Sequence, residues 1–192
     1  MPAPNPNAVE FLLNRRSRPQ KTLTTPVPDQ DALSPILTAA LRTPDHGKLE
    51  PWRLIVLDGA ALKSLAPLAR ERGAAMGKDQ AEIDKGALQF ETSELAVVVV
   101  ESPVASEKVP AIEQTYSAGA VCLSLLNAAL ASGWGANCLS GWASHDRVFV
   151  ETGLGLAAHE RVAGLIHIGT EKAAPPERPR PALEDKVAWH LA

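Results

Sequence analysis

Residues 113–141 read EQTYSAGAVCLSLLNAALASGWGANCLSG. The spacing predicts a helix over 113–132. Its stretch from Ser117 to Ser132 is apolar or small nearly all round, the mark of a helix buried on every side. One domain of 192 residues seldom encloses a helix that long alone, so a partner subunit is expected to cover part of it. Gly133-Trp134-Gly135 ends the helix. The segment that follows, bounded by Gly135 and Gly141, can bring backbone close to a flat ligand because glycine has no Cβ.

Working outward, Leu95–Val100 (LAVVVV) reads as a strand with both faces covered. Trp52–Leu57 and Val162–Ile168 are further strands. Helices are expected over 60–76 and 78–89, with a short one near Asp146–Glu151. A first helix starts at Asn5-Pro6, a capping residue followed by proline at the first helical position. A second carries Leu33, Ile36, Leu37, Ala40 and Leu41. Pro35 there either follows a Ser34 cap or bends the early helix. Helices alternating with three or four strands predict an α/β or α+β sandwich, with strand order left open.

Composition narrows the function. With 45% hydrophobic and 21% charged residues, the chain buries a core as one domain. A net charge of −3 gives no general pull toward nucleic acid. Two cysteines far apart, Cys122 and Cys138, make no disulfide framework and no zinc site. No segment approaches the ~20 apolar residues of a membrane span, and the basic pair Arg15-Arg16 follows the first apolar residues instead of preceding them, unlike a signal peptide. A cytoplasmic protein without membrane or nucleic-acid partners is expected. GxxxxGK[ST], GxGxxG after a strand, and HExxH are all missing, and no metal site is expected.

Three clusters remain. Asn14-Arg15-Arg16-Ser17-Arg18 can hold a phosphate through charge-assisted hydrogen bonds, or is a solvated helix end. Arg42-Thr43-Pro44-Asp45-His46-Gly47-Lys48-Leu49-Glu50-Pro51-Trp52 concentrates polar groups between a helix and a strand, or is an ordinary turn. Gly133–Gly141 is the third. In this order and spacing they resemble the nitroreductase family of FMN-dependent oxidoreductases, especially its short members. The resemblance spans nearly the whole chain, from RRS through R-T-P-D-H and E-P-W to E-Q-x-x-S-A-G, G-W-G, Ser140-Gly141 and a closing Gly169-Thr170.

The resemblance implies a three-layer α-β-α fold of the α+β class with a central mixed sheet, and an intertwined homodimer holding FMN in two interface sites. The whole chain 1–192 would be one domain, with an arm over 171–192 lying on the partner. Arg15, Arg16 and Ser17 would hold the FMN phosphate and ribityl end. Arg42 and His46 would come from the neighbouring subunit. Cys138, Leu139 and Ser140 would line the flavin. NADH or NADPH would give hydride to flavin N5 and leave, and a nitroaromatic, quinone or similar acceptor would then take it, a ping-pong cycle that needs no protein nucleophile.

Two positions depart from the family pattern. Pro19 stands where a lysine commonly faces flavin N1, and Lys48 where asparagine is frequent. Lys48 or Arg15 is therefore the expected electrostatic support for reduced flavin. Arg178 and Arg180, in a proline-rich tail, reach a phosphate or the partner's surface, or remain solvated. The last ten residues, with Leu183, Val187 and Leu191 four apart, suggest a short amphipathic helix needing a docking surface. Three other functions stay open: the same fold with another flavin reaction (dehydrogenation or reductive dehalogenation), a non-catalytic FMN carrier or redox sensor, and a flavin-free interaction protein.

Overall fold

The computed structural model describes residues 3–191. Among the described residues six helices surround a five-stranded sheet. Helix α1 (Pro6–Asn14) begins at the Asn5 cap, whose side chain accepts from the Ala8 N–H, with proline at the first helical position. Helix α2 (Gln30–Ala40) starts earlier than Ser34 because Asp29 caps it, and Pro35 sits inside its second turn. Strand β2 (Trp52–Asp58) leads into α3 (Gly59–Ala75) and α4 (Gln80–Glu91), capped by Asp58 and Asp79. Strand β3 (Leu95–Glu101) precedes the long α5 (Ala111–Ala131). Strand β4 (Gly135–Leu139), α6 (Arg147–Leu154) and β5 (Arg161–Glu171) complete the scaffold, with a two-residue β1 (Leu23–Thr24) near the start.

Strand β5 lies between β3 and β4, β2 flanks β3, and β1 pairs with the C-terminal end of β5. Every pairing is antiparallel, so the expected mixed sheet is corrected to an antiparallel one. The cause lies in the connections. Two successive helices, α3 and α4, link β2 to β3 and return the chain pointing the other way. Strand β4, expected only as a glycine loop, is also part of the sheet.

The β3 run is buried from end to end because both faces are covered. Val98 and Val100 pack with Leu62, Phe90 and Phe149 from α3, α4 and α6. Val97 and Val99 face Ile36, Val121 and Leu125 from α2 and α5. This is the three-layer arrangement, with alternate residues of one strand feeding two cores.

Helix α5 is not buried all round in the single chain. Leu125, Leu126 and Ala129 lie in the core, while Ile112, Tyr116 and Leu123 form an exposed apolar line, Tyr116 at 68%. Helix α1 buries no residue, and its Leu13 is 77% exposed. After β5 the tail is irregular except for one tight turn at Leu183–Asp185. The expected amphipathic helix is therefore absent among the described residues. Trp189 and Leu191 of that tail are exposed, and without a surface under its apolar side so short a helix has little to stabilise it.

Candidate functional site

The helix α1 ends at Asn14, and Arg15 turns the chain out into an extended conformation. Residues 15–18 then run beside the start of β4, where the Arg18 N–H donates to the Ala136 carbonyl at 2.8 Å. Within this segment Arg15 Nη2 donates to Ser17 Oγ at 2.9 Å, and Arg16 Nη1 to the Ser17 carbonyl at 3.3 Å. The Nε atoms of Arg15 and Arg16 are both buried without a hydrogen-bond partner. Burial and the nearby Arg180 and Arg16 charges hold the Arg15 guanidinium below its ordinary pKa. Arg18 is neutralised by Glu171 at 2.9 Å. A cavity of about 320 Å³ opens here, bordered by Arg15, Arg16, Arg18, Leu130 and Trp134.

Arg180 belongs to this cluster. Its Nη2 lies 3.5 Å from the Arg15 carbonyl oxygen, so the tail folds back on the arginine segment instead of being wholly solvated. Arg178 makes only a local contact, its backbone N–H donating to Glu177. Sequence reading singled out both arginines without distinguishing them, since position along a proline-rich tail does not say which way a side chain returns.

The 42–52 loop is built differently. Thr43 is buried, its Oγ1 2.9 Å from both the Ala40 carbonyl and Ser124 Oγ of α5. Asp45 accepts from the N–H groups of Leu49 (2.6 Å) and Glu50 (3.1 Å), closing a tight turn. Inside it Gly47, Lys48 and Glu50 all adopt positive φ, at 79°, 54° and 48°. The two non-glycine residues each cost about 1–3 kcal/mol, and such strain concentrates at functional sites. His46 Nδ1 meets Glu113 Oε2 of α5 at 2.6 Å. Arg42 and Lys48 are exposed.

The two clusters do not converge within one chain. The arginine segment borders Leu130 at the C-terminal end of α5, whereas His46 touches Glu113 at its N-terminal end. At 1.5 Å per residue these points lie roughly 25 Å apart along the helix.

The 133–141 segment corrects one expectation. Gly133 (φ 85°) terminates α5 in the left-handed conformation. Gly135 makes room for the sheet, since a Cβ there would stand 2.6 Å from Leu23 Cδ2 and 3.1 Å from the Gly169 carbonyl. Gly135 thus serves the packing of the sheet, while Gly133 also borders the cavity at the arginine segment. Leu139, Ser140 and Gly141 do open onto a cavity, of about 640 Å³, which Pro19 and Trp142 also line. Cys138 is exposed and Cys122 buried. The Cys122 thiol hydrogen-bonds the Cys138 sulfur, which lowers the pKa of Cys138 and raises that of Cys122. Both sulfurs occupy the space left by Gly164, whose absent Cβ would stand about 3 Å from each.

The family model for the nitroreductase family matches residues 12–170. The chain therefore belongs to the nitroreductase family of oxidoreductases. YdjA of Escherichia coli (strain K12), whose name assigns it NAD(P)H nitroreductase activity provisionally, is 32% identical over 164 residues, covering 85% of this chain and 88% of its own. A similarly named protein of Haemophilus influenzae is 32% identical over 171 residues, covering 87% and 91%. Among solved structures, a nitroreductase-like protein from Bacillus cereus superimposes with a TM-score of 0.78 at 22% identity, covering 98% of both chains. A protein from Desulfovibrio desulfuricans, provisionally named a nitroreductase and solved in complex with FMN, superimposes with a TM-score of 0.74 at 18% identity, covering 99% of this chain and 100% of that one.

Proposed function

We propose that the protein is an FMN-dependent oxidoreductase that takes hydride from NADH or NADPH and passes it to nitroaromatic, quinone or similar acceptors, working as a homodimer. The observation that carries the cofactor reading is the pair of buried, partnerless Nε atoms on Arg15 and Arg16, beside an Arg180 that is itself paired with Glu177 at 3.3 Å. Clustered guanidiniums repel one another and lose hydration on burial, and a phosphate dianion answers both deficits. Arg15, Arg16, Ser17 and Arg180 would hold the FMN phosphate and ribityl end, and Cys138, Leu139 and Ser140 would border the ring. When bound, FMN supplies two-electron hydride chemistry. The protein orients it, shields it from water and sets the local charge.

Geometry supports the dimer reading. With the flavin phosphate at the arginine segment, Arg42, His46 and Lys48 would serve it from a second copy, because His46 and that segment contact opposite ends of α5. The apolar side chains exposed on α1 (Val9, Leu12, Leu13), on α5 (Ile112, Tyr116, Leu123) and in the tail (Trp189, Leu191) would be covered by a second copy. A tail that docks on the partner accounts for its lack of regular structure here.

The cycle is ping-pong: the nicotinamide leaves before the acceptor enters the same space. The test is direct. Purified protein should carry FMN by mass after extraction, sediment as a dimer, and bleach under NADH or NADPH without oxygen. Colour should return on adding a quinone or nitroaromatic. A flavin-free protein, an FAD extract, or bound FMN that no nicotinamide nucleotide reduces would overturn the reading.

A further inference from the structure

The cavity beside Leu139 and Ser140 carries a charge pattern that the hydride chemistry does not require. Lys21, Lys78 and Lys85 line it with a single carboxylate, Glu82. Lys78 is already engaged: its Nζ lies 3.2 Å from Glu82 Oε1 and 5.7 Å from the centroid of the Trp142 ring. Lys21 and Lys85 are exposed and belong to no ion pair among the described residues. The cavity thus holds two uncompensated positive charges, in a chain whose net charge is −3.

Its wall is fixed. The Trp142 indole N–H donates to the Glu82 carbonyl at 3.3 Å. The ring fills the space left by Gly86, where a Cβ would stand 2.4 Å from its Nε1. A flat aromatic surface and two cations without partners, in a cavity of about 640 Å³ that the flavin ring would share at its Leu139 and Ser140 wall, suit an aromatic or nucleotide ligand with an anionic end. Like charges sharing a concave wall also concentrate anions from solution.

We infer that this cavity is an anion-recognising subsite, in which Lys21 and Lys85 bind a phosphate or carboxylate carried by a substrate whose reacting end lies toward Leu139. This rests on the reading that residues 138–140 border the flavin. Two sources could supply the anion: the 2′-phosphate that distinguishes NADPH from NADH, or a carboxylate on the acceptor.

Calorimetric titration of the purified protein decides it and needs no turnover. Adenosine 2′,5′-bisphosphate is compared with AMP, and 4-nitrobenzoate with 4-nitrobenzyl alcohol. In at least one pair the more highly charged ligand should bind about tenfold tighter, a difference of roughly 1.4 kcal/mol. The preference should fade as salt is raised. It should vanish in the Lys21→Gln/Lys85→Gln double variant and survive in Lys21→Arg/Lys85→Arg. The bisphosphate arm identifies the nucleotide and the nitrobenzoate arm the acceptor. No charge preference in either pair, or one that persists in the glutamine variant, overturns the subsite. Absence of flavin in the purified protein would instead overturn the oxidoreductase reading and leave this titration interpretable.

Discussion

His46 and Glu113 are separated by 67 residues of sequence and by 2.6 Å in space, Nδ1 to Oε2. The contact ties the strained loop after α2 to the first turn of α5, so the loop's polar groups are presented by a rigid helix rather than by a free turn. If His46 serves the flavin of the partner subunit, Glu113 acts as its positioning residue. Glu113→Gln should weaken FMN binding severalfold, and His46→Ala by more. The effect through Glu113 is modest because both side chains are substantially solvated. Fluorescence titration with FMN measures it. Wild-type affinity in both variants would remove His46 from the site.

The arginine cluster predicts a graded response. Arg15→Ala should raise the FMN dissociation constant about 10- to 100-fold, the loss expected for a charge-assisted hydrogen bond of about 1.5–3 kcal/mol. Arg180→Ala should cost less, since its guanidinium is more exposed, and Arg178→Ala least. Equal constants for the three variants would contradict the placement of the phosphate.

Lys48 occupies the left-handed region of the strained loop, in the segment assigned to the partner's flavin. A cation there favours anionic reduced flavin over neutral oxidised flavin. Lys48→Met should lower the midpoint potential by tens of millivolts, where about 30 mV corresponds to roughly 1.4 kcal/mol for two electrons. Dye equilibration of both proteins provides the comparison. An unchanged potential would shift the role to Arg15.

Gly86→Ala should destabilise the fold by about 1–3 kcal/mol through overpacking. A Cβ there would overlap the Trp142 indole, and the ~1 kcal/mol gain in helix propensity offsets only part of the strain. Urea melts give the difference, and a midpoint at or above wild type would mean that the indole moves freely.

His167 is wholly buried, its Nδ1 2.7 Å from Ser93 Oγ and its Nε2 without a partner. Burial pushes its pKa down to about 4 from 6.5. Above pH 6.5 both folded and unfolded chains hold it neutral. As pH falls from 6.5 toward 4 the unfolded chain takes up a proton that the folded chain refuses, so stability declines by an amount on the order of 3 kcal/mol. Glu160 adds a later loss. Arg53 holds its carboxyl down to about 2, and the resulting stability disappears between pH 4.5 and 2. A His167→Asn variant should show a flatter stability profile over pH 6.5 to 4 in denaturant melts. An unaltered slope would assign the acid sensitivity elsewhere.

Local physics writes much of this fold into the sequence. Asn5-Pro6 encodes a helix start because cap and fixed φ act over four residues. LAVVVV encodes a strand covered on both faces because each of its residues is apolar. The order of RRS, RTPDH and the glycine-bounded segment carries the family resemblance. The antiparallel sheet was not legible, because strand direction depends on how many helices intervene and how they pack. Nor was strand β4, whose glycines look the same whether they serve a ligand or, like Gly135, a neighbouring strand. The all-round apolarity of α5 implied that part of it awaits a partner, but not that Ile112, Tyr116 and Leu123 form the exposed line, because helical apolarity specifies what must be buried and not which molecule buries it. Above all, the sequence sets the arginine segment and His46 only about 30 residues apart along the chain. The tertiary structure puts them against opposite ends of one rigid helix, whose fixed rise per residue keeps them apart, so a site that used both would need a second copy.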